Sequence, residues 1–558
     1  MMRAGCRRWP GLGVDLLPNL MWDTQNVCAM MYAPHVLTRG AKGAMVPSTA
    51  LKPTSMWLWG VAEGDEQKIV KEYLRRSKLP AGRWDLIPWN RIGKYAGDDA
   101  RLTIRLSIRQ TLDMMYAQEH RRTREGLPVH RDVDLLGMAE RRLEVSRMLI
   151  RVERNGVPFN LEAAAEGAKR IYQEMDSIKL VLPFKPSLPA AKDYWFTDKG
   201  MGLQPYDMTE KGAPVLTKHI LQEMVKDHIP AAAEYAEYQH LSTALSRWYE
   251  GWASMAGSDG RLHPTFRQNG TVSGRFSVER IQLQAIPHDY RVKVPDGVPT
   301  PRDLIELGVP QGYKLWELDL ANAEARCAAV LAKCTPMLEA FEQGRDVHGD
   351  TAQALFHVNP EDDNWGQMRT LAKRGNFSFI FGVGADTFQD SLVQEGINIS
   401  NERARQIVTD WNALYPQYRR SIEGHDRRVA DRVSQYGVGW VDLRNEERRY
   451  FVEGEDTHKA FNQRVQGNLA QLAQDWWLQA VREVADDLDS RVQLGRDLNS
   501  GVFVGRVGAV LMVHDSLDLL VPDDDFGREI VQVACEIGNE TWKRWFPEVP
   551  GHVDASEW

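Results

Sequence analysis

Two aspartates stand out by where they fall against apolar runs. In Lys314-Leu-Trp-Glu-Leu-Asp319-Leu a carboxylate closes a β-like run. In Val507-Gly-Ala-Val-Leu-Met-Val513-His514-Asp515-Ser516-Leu-Asp-Leu-Leu-Val521 two apolar runs flank a short polar turn, a hairpin pattern with Asp515 at its tip. Two carboxylates sharing a site repel one another unless oxygen-ligated divalent ions neutralise them. A metal pair about 3.5–4 Å apart stabilises both the attacking and the leaving oxygen in phosphoryl transfer. Two Mg²⁺ ions suit such a site, with Mn²⁺ as the substitute. The plainer alternative for any one strand-end Asp is a turn former.

Between these acids lies Arg369-Thr-Leu-Ala-Lys373-Arg-Gly-Asn-Phe377-Ser-Phe-Ile-Phe381-Gly382. Arg369, Lys373, Phe377 and Phe381 are four apart, so at about 100° per residue they share one helical face. Each step climbs about 6 Å, which lets two cations meet a triphosphate while an aromatic ring lies against a base or sugar. The alternative is an amphipathic helix with its aromatics in the core and its cations in solvent.

The elements that must hold these side chains are legible in part. From Asp134 to Arg154 apolar residues recur at helical spacing, and Asn155-Gly156 supplies a stop. Leu161 to about Met255 reads as mostly helical, interrupted at Leu182–Pro189 and Gly200–Pro205. After Gly260, β-like runs at Lys314–Leu320 and Gly501–Leu520 flank a long helical block from about Asn322 to Leu488. A sheet assembled from distant segments therefore carries a helical insertion. Residues 1–125 fit a small α/β unit, in which Leu102, Ile104, Leu106 and Ile108 alternate like a strand.

At 558 residues, 43% hydrophobic and 26% charged, the chain is expected to be a multi-domain globular protein. No run of about 18 apolar residues suggests a membrane span, and early arginines (Arg3, Arg7, Arg8) without an apolar segment do not make a secretory signal, so a cytoplasmic location is expected. Cys6, Cys28, Cys327, Cys334 and Cys535 show no metal or disulfide spacing and read as reduced. A net charge of −8 means that nucleic-acid binding must come from local patches such as Arg121-Arg122, Arg419-Arg420, Arg427-Arg428 and Arg448-Arg449, although such runs are more often solvated faces.

Taken in order, these motifs resemble the polymerase module of family A DNA polymerases over roughly residues 134–558. Thr271-Val-Ser-Gly274-Arg275-Phe-Ser and Leu283-Gln284-Ala285-Ile286-Pro287 are similar to the family's T-G-R-L-S and L-Q-N-I-P pair, with Ala285 in place of Asn. Phe341-Glu-Gln-Gly-Arg-Asp-Val-His348 resembles G-R-D-I-H, Phe461-Asn-Gln-Arg-Val-Gln466-Gly467 resembles N-x-x-x-Q-G, and Val513-His514-Asp515-Ser516 matches V-H-D-E with Ser for Glu. The resemblance implies that Asp319 and Asp515 hold the metals, and that Lys373 is both a triphosphate ligand and a general acid. It assigns the incoming nucleotide to His348, Arg369, Lys373, Phe377 and Phe381, with Glu324 as a steric gate against the ribose 2′-hydroxyl. Arg275, Gln284, Asn462, Gln466 and His514 are implied to contact the primer-template. Phe381 stands where the family usually has Tyr and lacks the hydroxyl that would bond to the gate.

The fold class implied is α/β of the α+β type, a right-hand polymerase. Its parts are an incomplete 3′-5′ exonuclease-like unit (1–125), a thumb (126–260), a first palm segment (261–345), fingers (346–470) and a second palm segment (471–558). In the first unit only Tyr95 and Asp99 resemble an exonuclease element, Y-x-x-x-D. Asp23-Thr matches a non-catalytic segment, so no proofreading by this chain alone is expected. The expected partners are primer-template DNA, deoxynucleoside triphosphates and replication accessory proteins, in replication or repair, with no membrane. The short C-terminal and incomplete N-terminal parts point to a phage enzyme in host cytoplasm. Competing readings are RNA synthesis, because H-D-S also occurs in single-subunit phage-type RNA polymerases; a silent DNA clamp; and a nuclease. Glu324 and Phe381 oppose the first of these.

Overall fold

The computed structural model describes residues 23–558 apart from 33–34, 40–44, 48–49, 61–65, 79–85, 131–132, 210, 288–291, 395–396, 398, 453–456 and 492–507. Arg3, Cys6, Arg7, Arg8 and residues 501–507 of the last β-like run lie outside the described residues.

The alternation of Leu102, Ile104, Leu106 and Ile108 does not build a strand. These residues lie in one long helix, α1, Trp89–His120. A short alternating run also reads as two stripes at i, i+4, and the helix uses it that way: Leu102 and Leu106 are buried at 8% and 1%, while Ile104 and Ile108 stay 63% and 59% exposed. The next helix, α2, Leu135–Asn155, starts and stops where its sequence signals place it. Asp134 accepts from the Gly137 N–H at 3.0 Å, and Gly156 takes φ 68°, a left-handed value that only glycine adopts without strain. The helices that follow, α3 (Leu161–Val181), Leu188–Phe196, Lys218–Lys226 and Ala232–Ala244, pack around the fully buried Trp195, Tyr235, Tyr249 and Trp252.

The site-bearing sheet combines β1 (Tyr313–Leu320) with strands from the far side of a helical block. That block contains α4 (Ala323–Ala332), α5 (Val347–Phe356), α6 (Trp365–Phe379), α7 (Asn401–Leu414) and α8 (Pro416–Tyr436). It continues through the hairpin β2 (Val438–Asp442) and β3 (Arg448–Val452) into α9 (Ala460–Arg491). Next come β4 (Gly508–Val513), β5 (Ser516–Pro522), α10 (Asp525–Trp545) and β6 (Val553–Glu557). The sheet order is β4-β5-β1-β6, antiparallel throughout. Leu318, Leu517 and Leu519 are wholly buried and share one face by strand alternation. Asp319, Ser516 and Asp518 occupy the other face.

Arg448-Arg449 is no solvated patch. Arg449 is buried, and with Arg142 it encloses the buried Glu447. Burial works to raise the Glu447 carboxyl, yet Arg142 and Arg449 hold it down at about 2. Cys28, Cys327, Cys334 and Cys535 are free thiols. Among the described residues no helix is long and apolar enough to cross a membrane.

Candidate active site

Register brings the two aspartates together. Ser516 is the Cα partner of Asp319, and Asp515 precedes it in the two-residue turn whose other member, His514, sits at φ 54°. Burial pushes the Asp319 carboxyl up to about 7, and the Asp515 charge adds to that push. Asp515 is also raised by burial, partly offset by Arg275. Burial thus disfavours the ionised form of both acids, and only Asp515 has a neighbouring cation, Arg275, to offset it in part; added cations would favour ionisation of both. Ser516 donates its hydroxyl to the Val513 carbonyl at 3.0 Å, so its Oγ is turned back into the hairpin. No group of three or more His, Cys, Asp or Glu side chains capable of holding a metal occurs among the described residues.

Glu324 stands in the first turn of α4, two residues after the left-handed Asn322 that opens the helix. Its Oε1 accepts from Arg275 Nη2 at 2.7 Å and from Gln466 Nε2 at 2.8 Å. Asn462 Oδ1 and Gln466 Oε1 are buried with no hydrogen-bond partner among the described residues. Gln284 donates to the Met512 carbonyl at 3.1 Å, tying its short helical turn to the Asp515 hairpin. His514 is exposed.

The helical face is realised with one change. Arg369, Lys373 and Phe377 lie in α6, whereas Phe381 falls beyond the Ile380 cap, in a tighter turn where its N–H bonds the Ser378 carbonyl. Gly382 at φ 77° ends the segment. Arg369 is already paired, its Nε and Nη2 reaching Asp346 at 2.5 and 3.1 Å. Asp346 also caps α5 through the His348 N–H at 3.2 Å. Lys373 is exposed with no bonded partner among the described residues.

His348 is oriented by a chain of buried donors. The Trp411 indole N–H, which can only donate, bonds Asn376 Oδ1 at 2.7 Å and so fixes the amide. Asn376 Nδ2 then donates to His348 Nδ1 at 3.0 Å. His348 Nδ1 is therefore an acceptor and the ring proton sits on Nε2. Burial lowers the His348 pKa to about 4, with Lys373 and Arg369 adding to the effect, which keeps the ring neutral. Sequence reading missed Asp346, Asn376 and Trp411. An Asp two residues ahead of His348 was a capping signal, while the Trp411 contact carried none.

Tyr95 and Asp99 meet on adjacent turns of α1. Burial, then the hydrogen bond to Asp99, raises the Tyr95 hydroxyl to about 12. Asp23 is a helix cap, accepting from the Gln25 and Asn26 N–H groups at 3.0 and 3.2 Å.

The register thus sets a strand-borne acid, Asp319, next to the hairpin turn that carries Asp515, while Arg369 and Lys373 share one face of α6. The sequence profile described as DNA polymerase family A matches residues 171–556, and the chain belongs to that family. It is 26% identical over 545 residues to DNA polymerase I of Pseudomonas aeruginosa, covering 92% of this chain and 52% of that protein. It is 28% identical over 423 residues to the thermostable DNA polymerase I of Thermus thermophilus, covering 72% and 46%. The chain thus spans about half the length of these relatives. Its fold is similar to that of the POL domain of Pol1 from M. smegmatis, solved with DNA primer-template and dNTP, at a TM-score of 0.60 and 22% identity over 76% of this chain and 70% of that one.

Proposed function

We propose that this chain is a template-directed DNA polymerase that adds deoxynucleotides to a primer 3′-hydroxyl. The observation carrying this reading is the Ser516–Asp319 register, which sets the exposed Asp319 at the edge of the hairpin turn bearing the half-buried Asp515, with both carboxyls pushed toward the neutral form. Two divalent ions, Mg²⁺ by preference, would be held by Asp319 and Asp515 and would supply charge neutralisation at the attacking and leaving oxygens. His348 donates from Nε2 to the triphosphate, Lys373 meets it as a free cation and donates a proton to the leaving group, and Arg369 keeps Nη1 for it while Asp346 holds the other donors. Phe377 lies beside the sugar and Glu324 excludes a 2′-hydroxyl. Arg275, Gln284, Asn462, Gln466 and His514 line the duplex side.

In the same reading residues 126–260 form the thumb, 261–345 and 471–558 the palm, and 346–470 the fingers. The helical run from Leu135 to Met255 and the assembly of one sheet from residues 313–320 and 508–557 support this division. Residues 1–125 are the exonuclease-like unit, where Tyr95 and Asp99 form one pair and Asp23 is engaged as a cap.

The test is primer extension on a primed DNA template with Mg²⁺, comparing dNTPs with rNTPs and wild type with Asp515→Ala. Extension by dNTPs that needs Asp515 and stops in EDTA establishes the reading. Preference for rNTPs moves it to RNA synthesis, and no extension by wild type overturns it.

A further inference from the structure

A second concentration of positive charge lies away from the carboxylate pair. A cavity of about 630 Å³ opens between the C-terminal end of α4, one side of α8, β2 and α9. Its charged lining is Lys333, Arg420, Arg428, Arg432 and Arg464 against the single carboxylate Asp442. That carboxylate is already shared, accepting from Arg432 at 3.0 Å and from Arg448 at 3.0 Å. Lys333 and Arg428 are exposed, and their side chains make no hydrogen bond or ion pair among the described residues. A smaller cavity of about 370 Å³ shares Leu331, Lys333 and Arg464 with the first and adds Arg444 paired with Glu548 at 2.6 Å, so the trough is elongated.

This trough is not the nucleotide site. Arg464 is two residues from Asn462 and from Gln466, which at about 100° per residue puts it across α9 from both. Lys333 caps the end of α4, nine residues beyond Glu324 and therefore about 13 Å along the axis.

Buried chemistry around the trough reports the crowding of charge. His425 accepts at Nε2 from Arg464 Nη1 at 2.9 Å, and its Nδ1 bonds the Ser421 carbonyl at 2.7 Å, so the ring is neutral with both nitrogens engaged. Burial, then Arg464, Arg428 and Arg432, lower its pKa to about 4. Arg464 is likewise lowered by burial and then by Arg428. A concave site with several guanidinium forks, an excess of cations and an apolar wall of Leu331, Val429 and Trp440 is matched to a phosphate chain, whose oxygens pair with such forks two at a time.

We infer that the trough lined by Lys333, Arg420, Arg428 and Arg464 is a second phosphate-binding site, taking either the oligophosphate of a free nucleotide or the phosphodiester of a single strand. The trough's own lining carries this inference; the expected count of two sites and the primer-extension control rest on the proposed polymerase reading.

The test is calorimetric titration of the full chain with tripolyphosphate in EDTA, and separately with a short oligothymidylate, comparing wild type, Lys333→Glu/Arg428→Glu and Arg369→Ala/Lys373→Ala. Wild type should bind two tripolyphosphates. The first variant should lose one of them, with at least a tenfold weaker apparent affinity at that site, an unchanged melting temperature and unchanged primer extension. The second should lose the other. If the oligothymidylate loses affinity in the first variant, the source is strand phosphate; if only tripolyphosphate does, it is a free nucleotide. Equal binding by wild type and the charge-reversed variant overturns the proposal, as does an aspartate-rich peptide that competes as well as tripolyphosphate.

Discussion

Arg275 Nη2 and Glu324 Oε1 are 2.7 Å apart, and Gln466 Nε2 approaches the same oxygen at 2.8 Å. The Glu324 carboxylate, proposed above as the sugar gate, is thus held from two sides by residues of distant segments, although Phe381 offers no hydroxyl to hold it from the third.

If that clamp sets sugar selectivity, Gln466→Leu should lower discrimination against ribonucleotides by roughly tenfold, since a hydrogen bond to a charged group contributes about 1.5–3 kcal/mol. Adding Phe381→Tyr should recover much of the loss by supplying a hydroxyl. The ratio of kcat/KM for dNTP and rNTP measures both; an unchanged ratio in Gln466→Leu refutes the clamp.

Asn376→Asp keeps an acceptor for Trp411 but removes the donor facing His348 Nδ1. The imidazole should then place its proton on Nδ1, bonded to the new carboxylate, and lose the Nε2 donor. The expected outcome is a dNTP KM raised about tenfold with a smaller change in kcat, read from single-nucleotide insertion.

His348 and His425 are both held near 4 by burial first, below the usual value of 6.5. Between about pH 4 and 6.5 the unfolded chain therefore binds more protons than the folded one. Stability should rise with pH across that window and be lost as pH falls through it, at up to about 1.4 kcal/mol per pH unit for each ring. His348→Gln and His425→Gln should each flatten the acid limb in urea unfolding; parallel limbs for variants and wild type would contradict this.

Asp518 is 1% exposed, faces Glu317 across the strands, and has neither oxygen hydrogen-bonded among the described residues. Burial, then Glu317, raises its pKa well above the usual carboxylate range. The folded chain then holds a proton that the unfolded chain has released, so this group's contribution to stability falls as pH rises above about 3.8. Asp518→Val should stabilise the protein by about 1–3 kcal/mol at neutral pH and reduce that decline. Urea unfolding at pH 5 and pH 8 measures both; destabilisation at pH 8 would show that the carboxyl has a partner in solution.

What could be read in advance was whatever local pattern encodes. Asp319 after an apolar run, Asp515 between two such runs and the capped helix from Leu135 all depend on neighbours within a few residues. What escaped depends on long-range pairing. The Arg369–Asp346 pair, the Gln284–Met512 bond and the inward turn of Arg449 each join separated segments, and nothing in their immediate surroundings announces them. The misread α1 failed for another reason. Four alternating residues are too few to separate a period of 2 from a period of 3.6, and burial of Leu102 and Leu106 on one side decided the matter.

The sheet order β4-β5-β1-β6 also bears on how the chain is made. During synthesis β1 leaves the ribosome early, but both of its neighbours, β5 and β6, follow only after the whole block from α4 to α9. At about 5–20 residues per second that leaves a strand with two open edges for on the order of ten seconds or more. Edges of this kind invite pairing with other chains. The nascent polypeptide therefore carries an aggregation hazard in the same strand that bears Asp319, and the proposed carboxylate pair cannot assemble before the hairpin bearing Asp515 has been translated.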